Sequence, residues 1–277
     1  MSQIAIANAF FRARESANPE GQRILDDPFA VGLVRTQWRL QAMWTFRWLI
    51  PGLAHLFDQL QTVHCVRHAA VDALVREGLE KGALQVVLLG AGLDARAERL
   101  GQSNPQVRWF EVDRSPYIGH KRGVLAQVDD RVVHVTADLS VPGWEAALLK
   151  AGLDPARPTL WVAEGLIHYL PEGTLEKLLH DVRTITVQPR VVISFIRPDM
   201  ASSAHSTLKR VLSWLGELPK IYFSAARLDE IGAQANWATV KTWTFDQQVD
   251  AFAPSARTRA HGVSQDVALF SAEPAQA

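Results

Sequence analysis

Short apolar segments alternate with segments of helical length, and this alternation constrains the fold more than any other feature. Five segments rich in β-branched residues are candidate strands: Leu84–Gly90, Val107–Asp113, Val132–Ala137, Thr159–Glu164 and Arg190–Ile196. Such strands, separated by helix-length connections, are typical of a parallel sheet covered by helices on both faces. Two alternating stretches, Ala238–Phe245 and Asp266–Phe270, are expected to form an antiparallel edge. The sequence therefore predicts an α/β, doubly wound fold with a seven-stranded, mostly parallel sheet.

The remaining segments are expected to cover this sheet within a single domain, because no proline- or glycine-rich linker divides the chain. The predicted parts are an N-terminal helical cover (1–80), a cofactor-binding core (81–196), a helical lid insertion (197–236) and C-terminal strands (237–272). The apolar segment Trp38–Phe57 is about as long as a membrane span, but it contains Arg39, Arg47 and Pro51. A buried cover is therefore the favoured interpretation of that segment.

Composition excludes several classes of partner. The 29 basic and 29 acidic residues cancel, so no overall field attracts nucleic acid or an anionic membrane surface. Cys65 is the only cysteine, which excludes an intrachain disulfide and any cysteine-rich zinc site. The first residues lack the pattern of a secretory signal. We expect a cytoplasmic protein that acts on a small molecule without a metal ion, and the sequence leaves its oligomeric state open.

Acidic residues gather where the predicted parallel strands end. They are Asp94 after the first strand, Glu111 and Asp113 in the second, Asp138 after the third and Glu164 at the end of the fourth. Ligands of open parallel sheets bind outside the carboxyl ends of the strands, so these side chains are expected to surround one site. For Asp94 and Asp138, a role as a helix cap or turn residue is an equally good interpretation.

The ligand must suit both a glycine turn and these carboxylates. The segment from Gly90 to Ala95 satisfies the dinucleotide pattern G-x-G-x-x-A, with Asp113 at about the expected distance of twenty residues. A diphosphate at the helix start would, however, be repelled by Asp94. S-adenosylmethionine carries an adenosine, a sulfonium and an amino-acid group but no phosphate. We therefore favour S-adenosylmethionine over a nicotinamide dinucleotide.

Each part of S-adenosylmethionine has a candidate partner. Gly90 and Gly92 allow close approach of the backbone. Asp113 can accept both ribose hydroxyls. Asp138 can accept from the adenine amino group, beside a ring nitrogen that accepts from the Leu139 amide. Glu164 can bind the ammonium group of the cofactor.

Arg67 supplies a second indication of a binding site, because its position in the sequence predicts a buried charge. Val63, Val66, Ala70, Val71 and Leu74 form an apolar stripe at helical spacing. Arg67 falls inside this stripe, whereas Asp72 and Arg76 fall on the predicted polar side. A buried guanidinium needs an anion, which is either a structural carboxylate or the carboxylate of the cofactor.

The motifs together resemble the leucine carboxyl methyltransferase family, including its bacterial carboxyl and polyketide O-methyltransferases. The resemblance runs from about Arg14 to Phe195 and includes "ARESANPEGQRILDDPFA", "VRHAAVD", "VVLLGAGLDARAERL", "WFEVDRSPYIGHK", "VTADLS" and "PTLWVAEGLIHYLP". It implies a Rossmann-like class I methyltransferase fold. It also implies cofactor contacts for Arg67, Gly90, Asp113, Asp138, Leu139 and Glu164, with Arg14 as an addition.

The chain departs from the family pattern at three places that bear on the acceptor rather than on the cofactor. Glu98 stands where family members commonly have Tyr, Arg114-Ser115 where they have Leu-Pro, and His168 where they have an apolar residue. His168 is a candidate general base if the acceptor is a hydroxyl, although a packed or exposed histidine at a helix start is an equally good interpretation. Tyr169 is a candidate for shaping the acceptor pocket, and Arg197 for holding an anionic substrate.

The favoured function is methylation of the carboxylate of a hydrophobic small molecule, such as a polyketide or a related natural-product acid. Trp38, Trp44, Trp48 and Trp214 suggest an apolar acceptor cavity. A phenol or alcohol acceptor is the alternative within the class. An NAD-dependent oxidoreductase and a non-catalytic cofactor-binding module are the alternatives from other classes.

Overall fold

The computed structural model of the chain describes residues 2–49, 52–125, 131–171, 173–198, 221–259 and 266–271. The helices are α1 Gln3–Ser16, α2 Ala30–Val34, α3 Trp38–Thr45, α4 Leu53–Glu80, α5 Arg96–Gly101, α6 Ser115–Leu125, α7 Trp144–Lys150, α8 Thr174–Ile185, α9 Ala225–Gln234 and α10 Phe245–Phe252. The strands are β1 Gln85–Leu89, β2 Arg108–Asp113, β3 Val132–Thr136, β4 Thr159–Ala163, β5 Arg190–Phe195, β6 Ala238–Trp243 and β7 Asp266–Ser271.

The first five strands form a parallel sheet, which confirms the α/β prediction. The strand order is β3-β2-β1-β4-β5-β7-β6, so β1 lies between β2 and β4. Every residue of β1 and of β4 is buried, as expected of central strands covered on both faces. The C-terminal strand β7 pairs antiparallel with β5 and with β6.

Helices cover both faces of the sheet. On one face α4 packs Ala70, Val71 and Leu74 against β-strand residues that include Val86 and Leu160. On the other face a larger core joins alternate residues of the same strands to α7, α8 and α9. The period of two along each strand sends successive side chains to opposite layers, which is why an unbroken apolar run suits a central strand.

The segment Trp38–Phe57 is not the uniformly buried cover that its composition suggested. It is interrupted after α3, and the side chains of Phe46, Trp48 and Leu49 are 59%, 69% and 77% exposed. Trp44, in contrast, packs edge-on against Phe10 and Phe57. Within the described residues, no helix has the length and apolar character needed to cross a membrane.

The predicted lid insertion falls largely outside the described residues. Residues 199–220, with Trp214, are not described, and α9 occupies part of the remainder. The side chain of Trp38 also lies outside the described set. The division of the chain into four parts of one domain therefore stays a prediction.

Candidate functional site

A cavity of about 780 Å³ lies at the carboxyl ends of the parallel strands and reaches the start of α1. Its size is in the range of pockets that hold cofactor-sized molecules, and its position is where ligands of doubly wound sheets bind. It is lined by nine of the residues singled out from the sequence: Arg67, Gly90, Gly92, Asp94, Asp113, Asp138, Leu139, Glu164 and Tyr169. The tertiary structure thus brings together residues that are up to about a hundred positions apart.

The glycine turn brings backbone directly to the cavity wall. Gly90 and Gly92 both adopt positive φ, +65° and +53°, which side chains on Cβ disfavour. A Cβ added to Gly90 would lie 2.7 Å from Cδ1 of Leu166. The turn is fixed to β2, because the amides of Gly90 and Ala91 both donate to the Val112 carbonyl. Glycine is therefore favoured at both positions by the backbone conformation, and at Gly90 an added Cβ would also displace the Leu166 side chain.

Asp113 is held in one orientation at the end of β2. Its Oδ2 accepts a hydrogen bond of 2.6 Å from the Gly92 amide, and its Oδ1 accepts one of 2.7 Å from the Arg114 amide. Burial raises the pKa of Asp113, although these two amide hydrogen bonds act to lower it. The carboxylate therefore lines the cavity in a fixed position, which a side chain that binds the hydroxyl groups of a ligand requires.

Asp94 and Asp138 combine a turn role with a place on the cavity wall. Asp94 Oδ1 accepts from the Arg96 amide at 2.8 Å. Asp138 Oδ1 accepts from the Ser140 hydroxyl and the Ser140 amide, and both bonds lower the pKa of Asp138. These local bonds match the cap and turn interpretation, and both residues also line the cavity.

Glu164 lies at the centre of a charged cluster. Its Oε1 accepts from Arg67 Nε at 2.9 Å, and its Oε2 accepts from Arg96 Nη2 at 2.6 Å and lies 3.2 Å from His68 Nδ1. Burial alone would raise the pKa of Glu164, but His68, Arg96 and Arg67 together hold it well below its usual value. Arg67 is 4% exposed, which confirms that this guanidinium is buried, and its anion in the structure is Glu164.

Sequence reasoning missed the residues that support Glu164 from behind. Arg96 is fully buried and donates to Asp72, Asp94 and Glu164. Asp72 is 2% exposed, so its predicted place on the polar side of α4 was wrong. It accepts from Arg96 and from Arg99, two residues of α5 that pack against α4. The signal in the sequence was the pair of arginines that follows the glycine turn at helical spacing.

Glu111 and Arg14 do not line the cavity, in contrast to the sequence prediction. Glu111 is fully buried and binds Lys121 of α6. It lies two residues before Asp113 on β2, so it lies within the sheet layer and not at the strand end. The guanidinium of Arg14 lies 4.9 Å from the centroid of the Trp44 ring, where it makes a cation–π contact.

His168 has a structural role in place of the predicted role as a general base. Its Nδ1 lies 2.6 Å from the Ile221 carbonyl, and the Ile196 amide donates to its Nε2 at 2.9 Å. Both ring nitrogens are thus engaged by backbone, and His168 does not line the cavity. Arg197, which follows β5, does not line it either. Of the three predicted catalytic residues, Tyr169 reaches the cavity wall.

We expect His168 to make the stability of the fold sensitive to acid. Burial lowers the pKa of His168 from 6.5 to about 4, so the neutral ring is favoured in the folded state. The neutral His168 ring contributes fully to the free energy of unfolding above the unfolded pKa of 6.5. This contribution is lost as the pH falls towards 4. Between pH 7 and pH 5 the loss is about 2 kcal/mol.

Urea denaturation at the two pH values checks this expectation. The wild-type free energy of unfolding should fall by more than that of His168→Gln, because the variant lacks the titrating ring. An equal fall in the two proteins would show that His168 does not resist protonation.

The sequence profile of the leucine carboxyl methyltransferase family matches residues 5–183, which is more than half of the chain. A Frankia alni protein, provisionally named as an S-adenosyl-L-methionine-dependent methyltransferase, is 35% identical over 190 residues. That match covers 64% of this chain and 63% of the relative, so the chain spans less than two thirds of that relative's length. A second Frankia alni protein with the same provisional name is 34% identical over 211 residues, covering 74% of this chain and 68% of the relative.

Solved structures share the fold. A DUF574 family protein from Streptomyces avermitilis superimposes with a TM-score of 0.62 at 15% identity, covering 99% of this chain and 98% of that one. Magnesium protoporphyrin IX methyltransferase from Synechocystis, solved with bound SAH, gives a TM-score of 0.51 at 14% identity over 77% of this chain and 87% of that one. The chain therefore belongs to the leucine carboxyl methyltransferase family and is related in sequence to S-adenosylmethionine-dependent methyltransferases.

Proposed function

We propose that this protein uses S-adenosylmethionine to methylate the carboxylate of a hydrophobic small molecule, such as a polyketide or related natural-product acid, giving a methyl ester. The observation that carries the proposal is the set of charged groups on the cavity wall. Four carboxylates line the cavity beside the glycine turn: Asp94, Asp113, Asp138 and Glu164. Arg12, Arg67 and Arg114 line the same wall, so it offers acidic and basic groups together to a zwitterionic, phosphate-free cofactor. Asp94 stands at the helix start, where a diphosphate would otherwise bind.

The donor and acceptor groups on the wall fit the parts of S-adenosylmethionine. Asp113 presents a fixed carboxylate that can accept from the two ribose hydroxyls. Asp138 and the Leu139 amide lie beyond the end of β3, where they can bind the adenine edge. Arg67 and Glu164 stand side by side with opposite charges, 2.9 Å apart, and so complement the zwitterionic amino-acid group.

The bound cofactor would supply an electrophilic methyl group on a cationic sulfur. Methyl transfer is an in-line displacement, so the residues of the chain act mainly by orienting the acceptor and excluding water. Leu166, Tyr169 and Leu170 line the cavity beside Glu164 and offer apolar surface for the acceptor. An acceptor of hydrophobic character is favoured by this part of the wall.

The environment of the histidines favours a carboxylate acceptor over a hydroxyl. A carboxylate is ionised at neutral pH and needs no base, whereas an alcohol or a phenol needs one. Both ring nitrogens of His168 are engaged by backbone. His68 does line the cavity, but its ring lies among Arg96, Arg99 and Glu164. Neither ring is therefore arranged to take a proton from an acceptor.

Product chemistry tests the proposal. The protein is incubated with S-adenosylmethionine and a panel of hydrophobic acids, phenols and alcohols, and mass spectrometry identifies methylated products. We expect a methylated acid that mild base hydrolyses, because esters are cleaved under these conditions and ethers are not. A base-stable product would instead identify a hydroxyl O-methyltransferase.

Calorimetry with the two cofactors separates the remaining alternatives. Tight binding of NAD without binding of S-adenosylmethionine would identify an oxidoreductase. Binding of S-adenosylmethionine without turnover across the whole panel would identify a non-catalytic binding module. Each of these results would reject the proposed reaction.

A further inference from the structure

A second polar cluster lies behind the glycine turn, between the sheet and helices α5 and α6. Glu111 of β2 and His134 of β3 are register partners in the parallel pair, so their side chains share one face of the sheet. Glu111 Oε2 lies 3.2 Å from His134 Nε2. Glu98 of α5 completes the cluster, and one nitrogen or oxygen of each residue lies within 4.8 Å of the others.

Four side-chain atoms of this cluster make no hydrogen bond of good geometry to another described side chain. They are both carboxylate oxygens of Glu98, Oε2 of Glu111 and Nε2 of His134. Glu98 is 1% exposed and Glu111 is fully buried. Leaving such groups unpaired in the interior costs free energy, so a cluster in which one ligand atom of each residue lies within 4.8 Å of the others calls for a further partner.

Lys121 does not provide that partner. Its Nζ binds Glu111 Oε1 and the Asp94 carbonyl, and it stays 3.9 Å from Glu98 Oε1, beyond hydrogen-bond distance. One ammonium therefore balances one of two buried carboxylates.

A shared proton is the simplest alternative, but it accounts for less of the geometry. A proton on Glu98 could link one of its oxygens to Glu111 Oε2. It would leave the second Glu98 oxygen without a side-chain partner, and His134 Nε2 would face Glu111 Oε2 alone at 3.2 Å. A divalent cation, in contrast, accepts electron pairs from all three side chains at once.

We propose that Glu98, Glu111 and His134 form a binding site for a divalent transition-metal ion of the zinc type. One imidazole nitrogen and two carboxylates are ligands that zinc accepts at about 2.0–2.2 Å, with a fourth position for water. Neighbouring ligands of a tetrahedral ion with such bonds are about 3.3 Å apart. The separation of 3.2 Å between His134 Nε2 and Glu111 Oε2 meets this requirement without rearrangement.

The surroundings of the site fit this role. Lys121 occupies Glu111 Oε1, so it fixes the carboxylate with its other oxygen towards the cluster. The side chain of His134 is 12% exposed, which provides a route from solvent. No motif reveals the site in the sequence, because its ligands come from α5, β2 and β3. The ion would join these three elements beneath the turn that carries Asp94.

A second group of possible metal ligands is less suited to bind an ion. It consists of His68, Asp94 and Glu164. There Arg67 and Arg96 bind the carboxylates directly. Cations already neutralise that cluster, so it carries no excess negative charge for a metal ion. The Glu98 cluster differs from it in the presence of unpaired acceptor atoms.

Metal titration tests the site without any need for cofactor or activity. The full untagged chain, freed of metal with a chelator, is titrated with zinc chloride in a calorimeter and with cobalt(II) in a spectrophotometer. We expect one strong site per chain and visible cobalt bands of tetrahedral intensity. Zinc should also raise the thermal unfolding midpoint, because it binds the folded state.

Variants identify the ligands. Glu98→Gln and His134→Asn should each lower the zinc affinity by about tenfold or more and abolish the cobalt bands. Glu98→Gln is expected to fold, because it removes a buried charge. The matched control Glu176→Gln, at an exposed position of α8, should bind as the wild type does.

Three results would overturn the proposal. They are a wild-type protein that binds no zinc, unchanged affinity in Glu98→Gln, and loss of binding in Glu176→Gln. The first, together with higher stability of Glu98→Gln, would indicate the shared proton instead. Because these measurements use metal alone, their failure is distinct from a failure of the proposed methyl transfer.

Discussion

Replacement of Arg67 by Ala is expected to lower the affinity for S-adenosylmethionine by about 30-fold or more. Loss of one partner from a buried, hydrogen-bonded charge pair costs about 2–5 kcal/mol of binding free energy. Arg67 is buried in the cavity wall beside Glu164, where it can bind the carboxylate of the cofactor. Isothermal titration calorimetry with S-adenosylmethionine measures the change.

The fold of this variant should survive, because Glu164 keeps Arg96 and His68 as partners. Arg76→Ala, on the exposed side of the same helix, is the matched control and should bind the cofactor normally. Arg67→Lys keeps the charge but not the planar, forked donor set of a guanidinium, so an intermediate affinity is expected. Near-wild-type affinity of Arg67→Ala would contradict the proposed arrangement of the cofactor.

Replacement of Arg96 by Met is expected to destabilise the fold by about 3–5 kcal/mol. Methionine fills much of the volume, but it leaves Asp72, Asp94 and Glu164 buried or half-buried without the cation that joins them. Such a loss is a large part of the stability of a typical domain, which is about 5–15 kcal/mol. Urea denaturation gives the free energy of unfolding directly.

An exposed arginine pair provides the control for this experiment. Arg227 binds Glu230, and both side chains are more than half exposed. Arg227→Met should therefore change the free energy of unfolding by no more than about 0.5 kcal/mol. If Arg96→Met were equally mild, the charged cluster behind Glu164 would not hold the cofactor wall together. A Glu164→Gln substitution added to Arg96→Met should recover part of the lost free energy of unfolding. It removes the charge that Arg96 neutralised, and residues in contact are expected to show such coupling.

Arg67 and Arg96 bind the same carboxylate, that of Glu164, from different sides. Arg67 reaches Glu164 from α4 at the cavity wall, whereas Arg96 reaches it from α5 in the interior. The contact with Arg96 fixes the position of Glu164. The contact with Arg67 places a donor beside the Glu164 acceptor on the wall that a ligand would contact. Mutation of Arg67 should therefore act mainly on cofactor binding, and mutation of Arg96 mainly on the stability of the fold.

The sequence alone was enough to locate the strands and the parallel sheet. Apolar, β-branched runs bury themselves in a central sheet whatever their partners, so their position is a local property. Predicted and observed bounds of the first five strands agree to within one residue at each end. The glycine turn and the carboxylates at the strand ends were equally local, because the chain must turn where each strand stops.

Hydrogen-bond partners, in contrast, were decided by tertiary structure. Nothing in the local pattern separates His168, whose two nitrogens bind backbone at Ile196 and Ile221, from a histidine that faces a substrate. Glu111 and Asp113 are both acidic residues of one strand. The first is enclosed by α6, and the second lies at the strand end on the cavity wall.

The sequence thus determined which segments are buried and which residue types stand at the carboxyl ends of the strands, because burial and turns follow from the order of side chains along the chain. Only the tertiary structure decided which of those charges face the cavity and which neutralise one another. The reason is physical: a pairing such as Arg96 with Glu164 joins residues 68 positions apart and exists only once the helices have packed on the sheet.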